Sequence, residues 1–299
     1  MVTPPFDKPM VSRRGFLATT ALAAASIAAT DLPGAEREEA TESEPFPFYA
    51  MDTGLVGPDV PTLDGKVRLL KKLGFWGIDY TLNHDQLPHL LELLDAADIH
   101  LACVYLSPAL EDKPDERLPA SVKRMKGRPV RVELALRSNA FKSSDPAGDQ
   151  RGLELIHRAS DLCADTGPVV SIYPHRGIWT ERVEDGVRLA RLSGRKNVGT
   201  NFNLVHWKWV EPTEPPQRVL KEALPHLFSV SINGLEGDKI VPLDQGDFDL
   251  LSFIKTVEQV GYRGQVGLQG YGVPGRSADH LKRSMDKWRE IARQLRNAA

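Results

Sequence analysis

The sequence predicts an α/β protein, a single (β/α)8 TIM barrel preceded by a cleavable export signal, and three observations carry that prediction. Eight short apolar runs alternate with eight segments of 3.6-residue apolar spacing after residue 46. The turn after the first run, MDTGLVGPDVP, does not fit the glycine-rich phosphate turn G-x-G-x-x-G that opens many doubly wound sheets. Two adjacent arginines near the N-terminus stand ahead of a weakly apolar, alanine-rich stretch.

In chain order, Ser12-Arg13-Arg14-Gly15-Phe16-Leu17 leads into ATTALAAASIAA, the pattern of a twin-arginine signal peptide over residues 1–29. The apolar run of about 14 residues is too short to span a bilayer comfortably, and small residues near Ala25 to Ala29 offer a cleavage point. Neither cysteine lies there, so no cysteine is available for lipid anchoring. Residues 30–45, TDLPGAEREEATESEP, are acidic and lack periodic apolar positions, as a disordered linker does. No later segment has linker composition, so residues 46–299 read as one domain.

Within that domain the strand candidates are residues 46–53, 75–81, 100–107, 131–138, 169–175, 198–207, 227–234 and 264–271. Between them lie the helix candidates VRLLKKLG, LPHLLELLDAAD, LPASVKRMKG, LELIHRASDLCADTG, VEDGVRLARLSG, VLKEALP, FDLLSFIKTVEQVG and HLKRSMDKWREIARQLR. Glycine or a short polar cluster ends most of them. Strict alternation calls for a parallel sheet with crossover helices, and eight repeats close a barrel.

Composition narrows the partners. The 299 residues are 41% apolar and 26% charged, and 38 basic against 40 acidic side chains leave a formal charge of -2. No global field attracts nucleic acid or anionic lipid, so the expected partner is neutral or small, and a homo-oligomer is compatible with the same surface. Cys103 and Cys163 are the only cysteines; a disulfide is permitted outside the cytoplasm, but two buried free thiols is the favoured reading.

A barrel of this kind builds its site at the C-terminal ends of its strands. Those ends carry Asp52, Asp79 and Tyr80, Tyr105, Arg137, Tyr173 with His175, Asn203 with His206, Ser231 with Asn233, and Gln269 with Tyr271. Most are neutral hydrogen-bonding groups that both donate and accept, which suits a polyhydroxylated ligand. Trp179, Trp207 and Trp209 follow strands five and six; they either stack on a sugar ring or pack a wall between loop and helix.

The stretches VVSIYPHRG, VGTNFNLVHW, LFSVSING and GDFDLLSFIKTVEQVGYRGQVGLQG resemble, in that order, the sugar phosphate isomerase/epimerase family with its xylose isomerase-like TIM barrel. The likeness spans residues 46–295, and GYRGQVGLQG is its most specific element. The family's D-x-x-H pattern on strand six survives as Asn203-Leu204-Val205-His206. The resemblance implies a divalent metal held by glutamate, aspartate, histidine and glutamate on strands five to eight, positions that fall here at Tyr173, Asn203, Ser231 and Gln269. Every acidic ligand has become neutral and the histidine has become serine, so tight metal binding is not expected. A site re-formed around His175 and His206 with Asp52 or Asp79 is the alternative, and two histidines without a clear third ligand fall short of it.

The sequence therefore leads to an exported sugar isomerase, epimerase or related lyase that needs no cofactor and acts on a carbohydrate, preferentially a keto-sugar. His206, joined by His175, moves the proton. Asn203, Asn233, Gln269, Tyr105, Tyr173 and Trp207 bind substrate, and Arg137 or Lys208 assists at the oxyanion. The competing reading is a non-catalytic carbohydrate-binding barrel, in which both histidines only hydrogen-bond hydroxyls. Either protein would work in the periplasm or otherwise outside the cytoplasm, without a stable membrane anchor.

Overall fold

Runs of four to seven residues, rich in β-branched and aromatic side chains and buried on both faces, are too short for helices and pair as parallel strands. The structure is a computed structural model and describes residues 45–297; the export signal at 1–29 and linker residues 30–44 lie outside the described residues. The strands are β1 (Phe48–Met51), β2 (Gly77–Thr81), β3 (His100–Leu106), β4 (Arg131–Leu134), β5 (Val169–Ile172), β6 (Val198–Asn203), β7 (Leu227–Ile232), a short pair β8 (Gly234–Glu236) and β9 (Lys239–Val241), and β10 (Gln265–Leu268). Eight of them close into a barrel in the order β1-β10-β7-β6-β5-β4-β3-β2, all parallel, while β8 and β9 form a separate antiparallel hairpin. The alternation read from the sequence is thus a closed barrel.

Around it lie α1 (Leu63–Leu73), α2 (Leu87–Ala97), α3 (Leu118–Arg124), α4 (Asp149–Cys163), α5 (Val183–Ser193), α6 (Leu204–Trp209), α7 (Pro216–Ala223), α8 (Leu250–Gln259) and α9 (Ser277–Arg296). Their ends follow local chemistry. The Thr62 hydroxyl accepts from Gly65 N at the start of α1, and Gly74 ends that helix at φ +82. Asp249 caps α8 through Ser252 N. Among the described residues no helix is long and apolar enough to cross a membrane.

Two features depart from the predicted pattern. The strands stop earlier than the apolar runs suggest, so Asp52, Tyr173 and Gln269 sit one residue beyond β1, β5 and β10, where the chain turns outward at the mouth. The run 198–207 divides, with β6 ending at Asn203 and α6 beginning at Leu204. The reason is a side-chain cap: Asn203 Oδ1 accepts from Val205 N at 3.1 Å and His206 N at 3.2 Å, which satisfies two otherwise orphaned donors and starts a helix where the apolar residues alone would extend the strand.

The core has two parts. The larger lies between strands and helices, and its seam includes Trp288 of α9 stacked on Phe48 of β1 at 4.3 Å between ring centres. Both cysteines are free and buried. The smaller part, Tyr49, Met51, Ala102, Ala135 and Tyr173, shares the barrel interior with a buried polar layer. There Arg131 Nε donates to Glu133 Oε1 at 3.2 Å, and its Nη1 to Gln265 of β10. Ser229 Oγ donates to the same Glu133 oxygen at 3.3 Å, Asn201 Nδ2 to Ser229 Oγ at 2.8 Å, and Ser231 Oγ to Asn201 Oδ1 at 3.2 Å. Gly267 belongs to this layer because a Cβ there would lie 2.4 Å from the Tyr49 ring.

Removing one member of the ion pair strands the other charge away from water. Glu133→Ala should lower unfolding free energy by about 3–5 kcal/mol in urea titrations, whereas the apolar double variant Arg131→Met/Glu133→Leu should lose less than either single truncation. A Glu133→Ala midpoint equal to that of the parent would refute the assignment.

Candidate active site

At the C-terminal end of the barrel a cavity of about 320 Å³ opens over the polar layer. Five of the sequence-selected residues line it: Tyr105, Tyr173, His175, His206 and Gln269. Asp52, Asp79 and Tyr271, recognised at strand ends but given no role in binding or catalysis, line it too, with Thr53, Thr81, Trp209 and Ile240.

Asn203, Asn233 and Trp207 do not line it. Asn203 is buried as the cap of α6, and its Nδ2 donates to the Tyr173 hydroxyl oxygen at 2.6 Å. Asn233 is fully buried and donates to the Gly234 carbonyl at 2.8 Å. Trp207 packs into the core against Phe202 at 5.7 Å, because the helical turn of α6 points it inward and leaves Trp209, two positions on, at the cavity. Trp179 is also core and donates its indole N–H to Asp145 O at 2.9 Å. Arg137 lies outside the cavity, its Nε donating to Ser107 O at 2.9 Å, and Lys208 lies over the Phe248 ring.

The two histidines are brought together, their ring centres 3.8 Å apart and tilted by 40°. His175 is half-buried and its Nδ1 lies 2.8 Å from the Arg176 carbonyl, which fixes Nδ1 as the protonated nitrogen and leaves Nε2 as the acceptor. His206 is 3% exposed, and among the described residues neither of its ring nitrogens has a partner. Burial, reinforced by His175 beside it, pushes His206 down to about 2, and burial lowers His175 as well. A proton is therefore disfavoured on both rings, and the depression is greater for the more buried His206.

The neighbouring acids are shifted the other way. Burial raises Asp52, against hydrogen bonds from Thr81 N at 2.8 Å and Thr81 Oγ1 at 3.0 Å. Burial pushes Asp79 well above the usual carboxylate range, with Glu133 and Asp52 acting in the same direction. An Asp79 oxygen, Cys103 Sγ and a Glu133 oxygen lie within 4.8 Å of one another, a spacing a cation could use. Arg131 already pairs with Glu133, and the burial that raises Asp79 disfavours its anionic, metal-ligating form. Burial also raises Tyr105 to about 12 and Tyr173 well above the ordinary phenol range, so both remain O–H donors.

The positions at which the family would place a divalent metal are tied into the scaffold. Tyr173 accepts from Asn203, Ser231 donates to Asn201, and Gln269 Oε1 accepts from Thr53 Oγ1 at 3.0 Å. None carries negative charge, and these groups do not fit a hard cation that must be repaid for dehydration with anionic oxygens.

Sequence reasoning missed the contributions of Thr53, Thr81 and Ile240. Ile240 comes from the β8–β9 hairpin, whose signal was legible: Gly237-Asp238 between Glu236 and Lys239 is a two-residue hairpin turn, with Gly237 at φ +57.

A profile of the family described as "Xylose isomerase-like TIM barrel" matches residues 67–297. No functionally curated protein matches the chain at a significant level. Among solved structures, an AP endonuclease, family 2, from Brucella melitensis is 19% identical, with a TM-score of 0.65 over 79% of this chain and 96% of its own. A 3-keto-D-glucoside 4-epimerase from E. coli is 16% identical, with a TM-score of 0.62 over 82% and 99%. A D-allulose 3-epimerase from Methylomonas sp. in complex with D-allulose is 15% identical, with a TM-score of 0.67 over 83% and 98%. At these identities the likeness is one of fold.

The depressed His206 pKa has a consequence for stability. Because the folded value lies below the unfolded one, the contribution is complete above about pH 6.5 and is lost as pH falls toward 2, at about 1.4 kcal/mol per pH unit. Between pH 6.5 and 5.0, His206→Phe should remove about 2 kcal/mol of the parent's loss in unfolding free energy. An unaltered pH slope would show that the ring is protonated freely in the folded protein.

Proposed function

Because the chain belongs to the xylose isomerase-like TIM barrel family, we propose that its mouth cavity binds a carbohydrate, a keto-sugar, and moves a proton at the carbon beside the carbonyl without a divalent metal. The observation that carries this reading is the His175–His206 contact at 3.8 Å inside a cavity of about 320 Å³ whose former metal positions are neutral. A cavity of that size is small for a ligand site and suits one sugar ring.

His175 Nε2 takes the proton from the C–H next to the carbonyl, since the Arg176 carbonyl holds the opposite nitrogen protonated. His206, packed against it and neutral, aligns the ring and hydrogen-bonds a sugar hydroxyl. This shifts the proton-transfer role expected of His206 to its neighbour, because burial makes His206 too weak a base. The negative charge that develops on the carbonyl oxygen meets three neutral donors. Asn203 occupies the Tyr173 oxygen as donor, so the Tyr173 proton is left for the ligand. Thr53 occupies Gln269 Oε1, so the amide N–H groups are left as well. Asp79, whose burial favours the proton-bearing form, is the third. Return of the proton from His175 to the former carbonyl carbon, with the neighbouring hydroxyl proton passing to the former carbonyl oxygen, gives isomerisation; epimerisation would require a second proton donor on the opposite face of the sugar. Neutral donors stabilise an oxyanion less than a metal does, which favours a substrate whose C–H a ketone already acidifies. That two proteins of the same fold are named for epimerising a 3-keto-D-glucoside and D-allulose supports this substrate class.

Neutralisation of all four metal positions equally favours a second reading, a carbohydrate-binding barrel without turnover. On either reading the twin arginines at 13 and 14 support export by the twin-arginine route to the periplasm.

The decisive measurement is solvent deuterium entering keto- and aldo-sugars, with and without chelator. Exchange should survive chelation and fall at least about 100-fold in His175→Ala. Exchange abolished by chelator would refute metal independence, and sugar binding without exchange would favour the second reading.

A further inference from the structure

The mouth cavity continues sideways. Trp209, Ile240 and Tyr271 line both it and a second cavity of about 570 Å³, walled by the β8–β9 hairpin on one side and the loop from Tyr271 to Arg276 on the other. Three features describe what this second cavity would take. Tyr271 is 65% exposed at the junction, and among the described residues only Val56 and Leu192 are other large apolar side chains so open to solvent. An exposed phenol ring at a cavity lip can offer a platform for the C–H face of a sugar. The walls carry three acidic residues, Glu236, Asp238 and Asp279, against three basic ones, Lys239, Arg276 and Arg283, so neither sign of ligand charge is favoured and hydrogen-bonding groups abound. Trp209 lines both cavities, and among the described residues its buried indole N–H has no acceptor. Such a donor is ordinarily satisfied in a working site.

We propose that the second cavity is an additional sugar subsite, and that the ligand of this protein is a disaccharide or longer oligosaccharide whose terminal keto-sugar occupies the mouth while its next ring stacks on Tyr271. This rests on the carbohydrate reading of the mouth cavity. Trp209 N–H donates to an oxygen at or near the glycosidic link, the point at which a chain crossing from one cavity to the other must pass it. The hairpin is what makes the subsite: without Ile240 and Lys239 the second cavity would lack one wall. A larger cavity of about 830 Å³ meets the mouth at Thr81 and Tyr105 on the other side, over a floor of Leu106, Leu134, Leu155 and Leu162. That floor suits an apolar substituent, and an apolar glycoside is therefore the control ligand.

The test is calorimetric binding of 3-keto-glucose, 3-keto-cellobiose, 3-keto-maltose and a phenyl 3-keto-glucoside to the purified protein. At least one disaccharide should bind about tenfold more tightly than the monosaccharide. Tyr271→Ala, and independently Val273→Trp to fill the second cavity, should erase that advantage. Equal affinity for mono- and disaccharide, a gain for the phenyl glycoside alone, or an advantage untouched by both variants would overturn the subsite while leaving the mouth reading intact. Failure of every sugar to bind would overturn both.

Discussion

The buried Arg131–Glu133 pair inside the barrel governs what lies above it. A charge that cannot reach water must be matched within the protein, and here the match is made by side chains from four strands, Arg131 and Glu133 of β4, Asn201 of β6, Ser229 of β7 and Gln265 of β10. The interior is therefore not filled by the layers of branched aliphatic residues that close many such barrels. It is a polar floor in which, among the described residues, one Arg131 nitrogen and one Glu133 oxygen have no partner. Burial raises Asp79 well above the usual carboxylate range, and Glu133 in the floor and Asp52 beside it act in the same direction.

The neutral residues at the positions where the resemblance places metal-binding carboxylates and a histidine are built into the fold. Asn203, where the resemblance places an aspartate, uses its two ends for two structural tasks: the oxygen starts α6 and the nitrogen holds the Tyr173 hydroxyl. Gln269 is fixed by Thr53 in the same manner. Each of these bonds uses an acceptor lone pair and leaves a donor over. The result is a mouth with unspent N–H and O–H groups, a natural counterpart to a sugar carbonyl and hydroxyls.

The β8–β9 hairpin extends the site beyond the barrel's own residues. It places Ile240 against the mouth and, with the loop after β10, encloses a second chamber beside it. In a fold whose strands and helices are occupied with closing the barrel, insertions between a strand and its helix are where the shape of the site is free to change.

The sequence by itself determined the closed barrel, since eight apolar runs in strict alternation with amphipathic helices have few other ways to bury both faces of a sheet. It also determined which strand ends carry polar groups, and through them eight of the residues that line the mouth, five of which it gave a role. Tertiary structure decided the rest. Apolar periodicity could not show that Asn203 would cap a helix and so rotate Trp207 into the core and Trp209 into the cavity, because that choice depends on one side-chain oxygen reaching two backbone N–H groups. Nor could it show which histidine stays open to solvent. Imidazoles at neighbouring strand ends look alike in sequence, and only burial, 3% exposure for His206 against a half-exposed His175, separates the more strongly depressed ring from its neighbour.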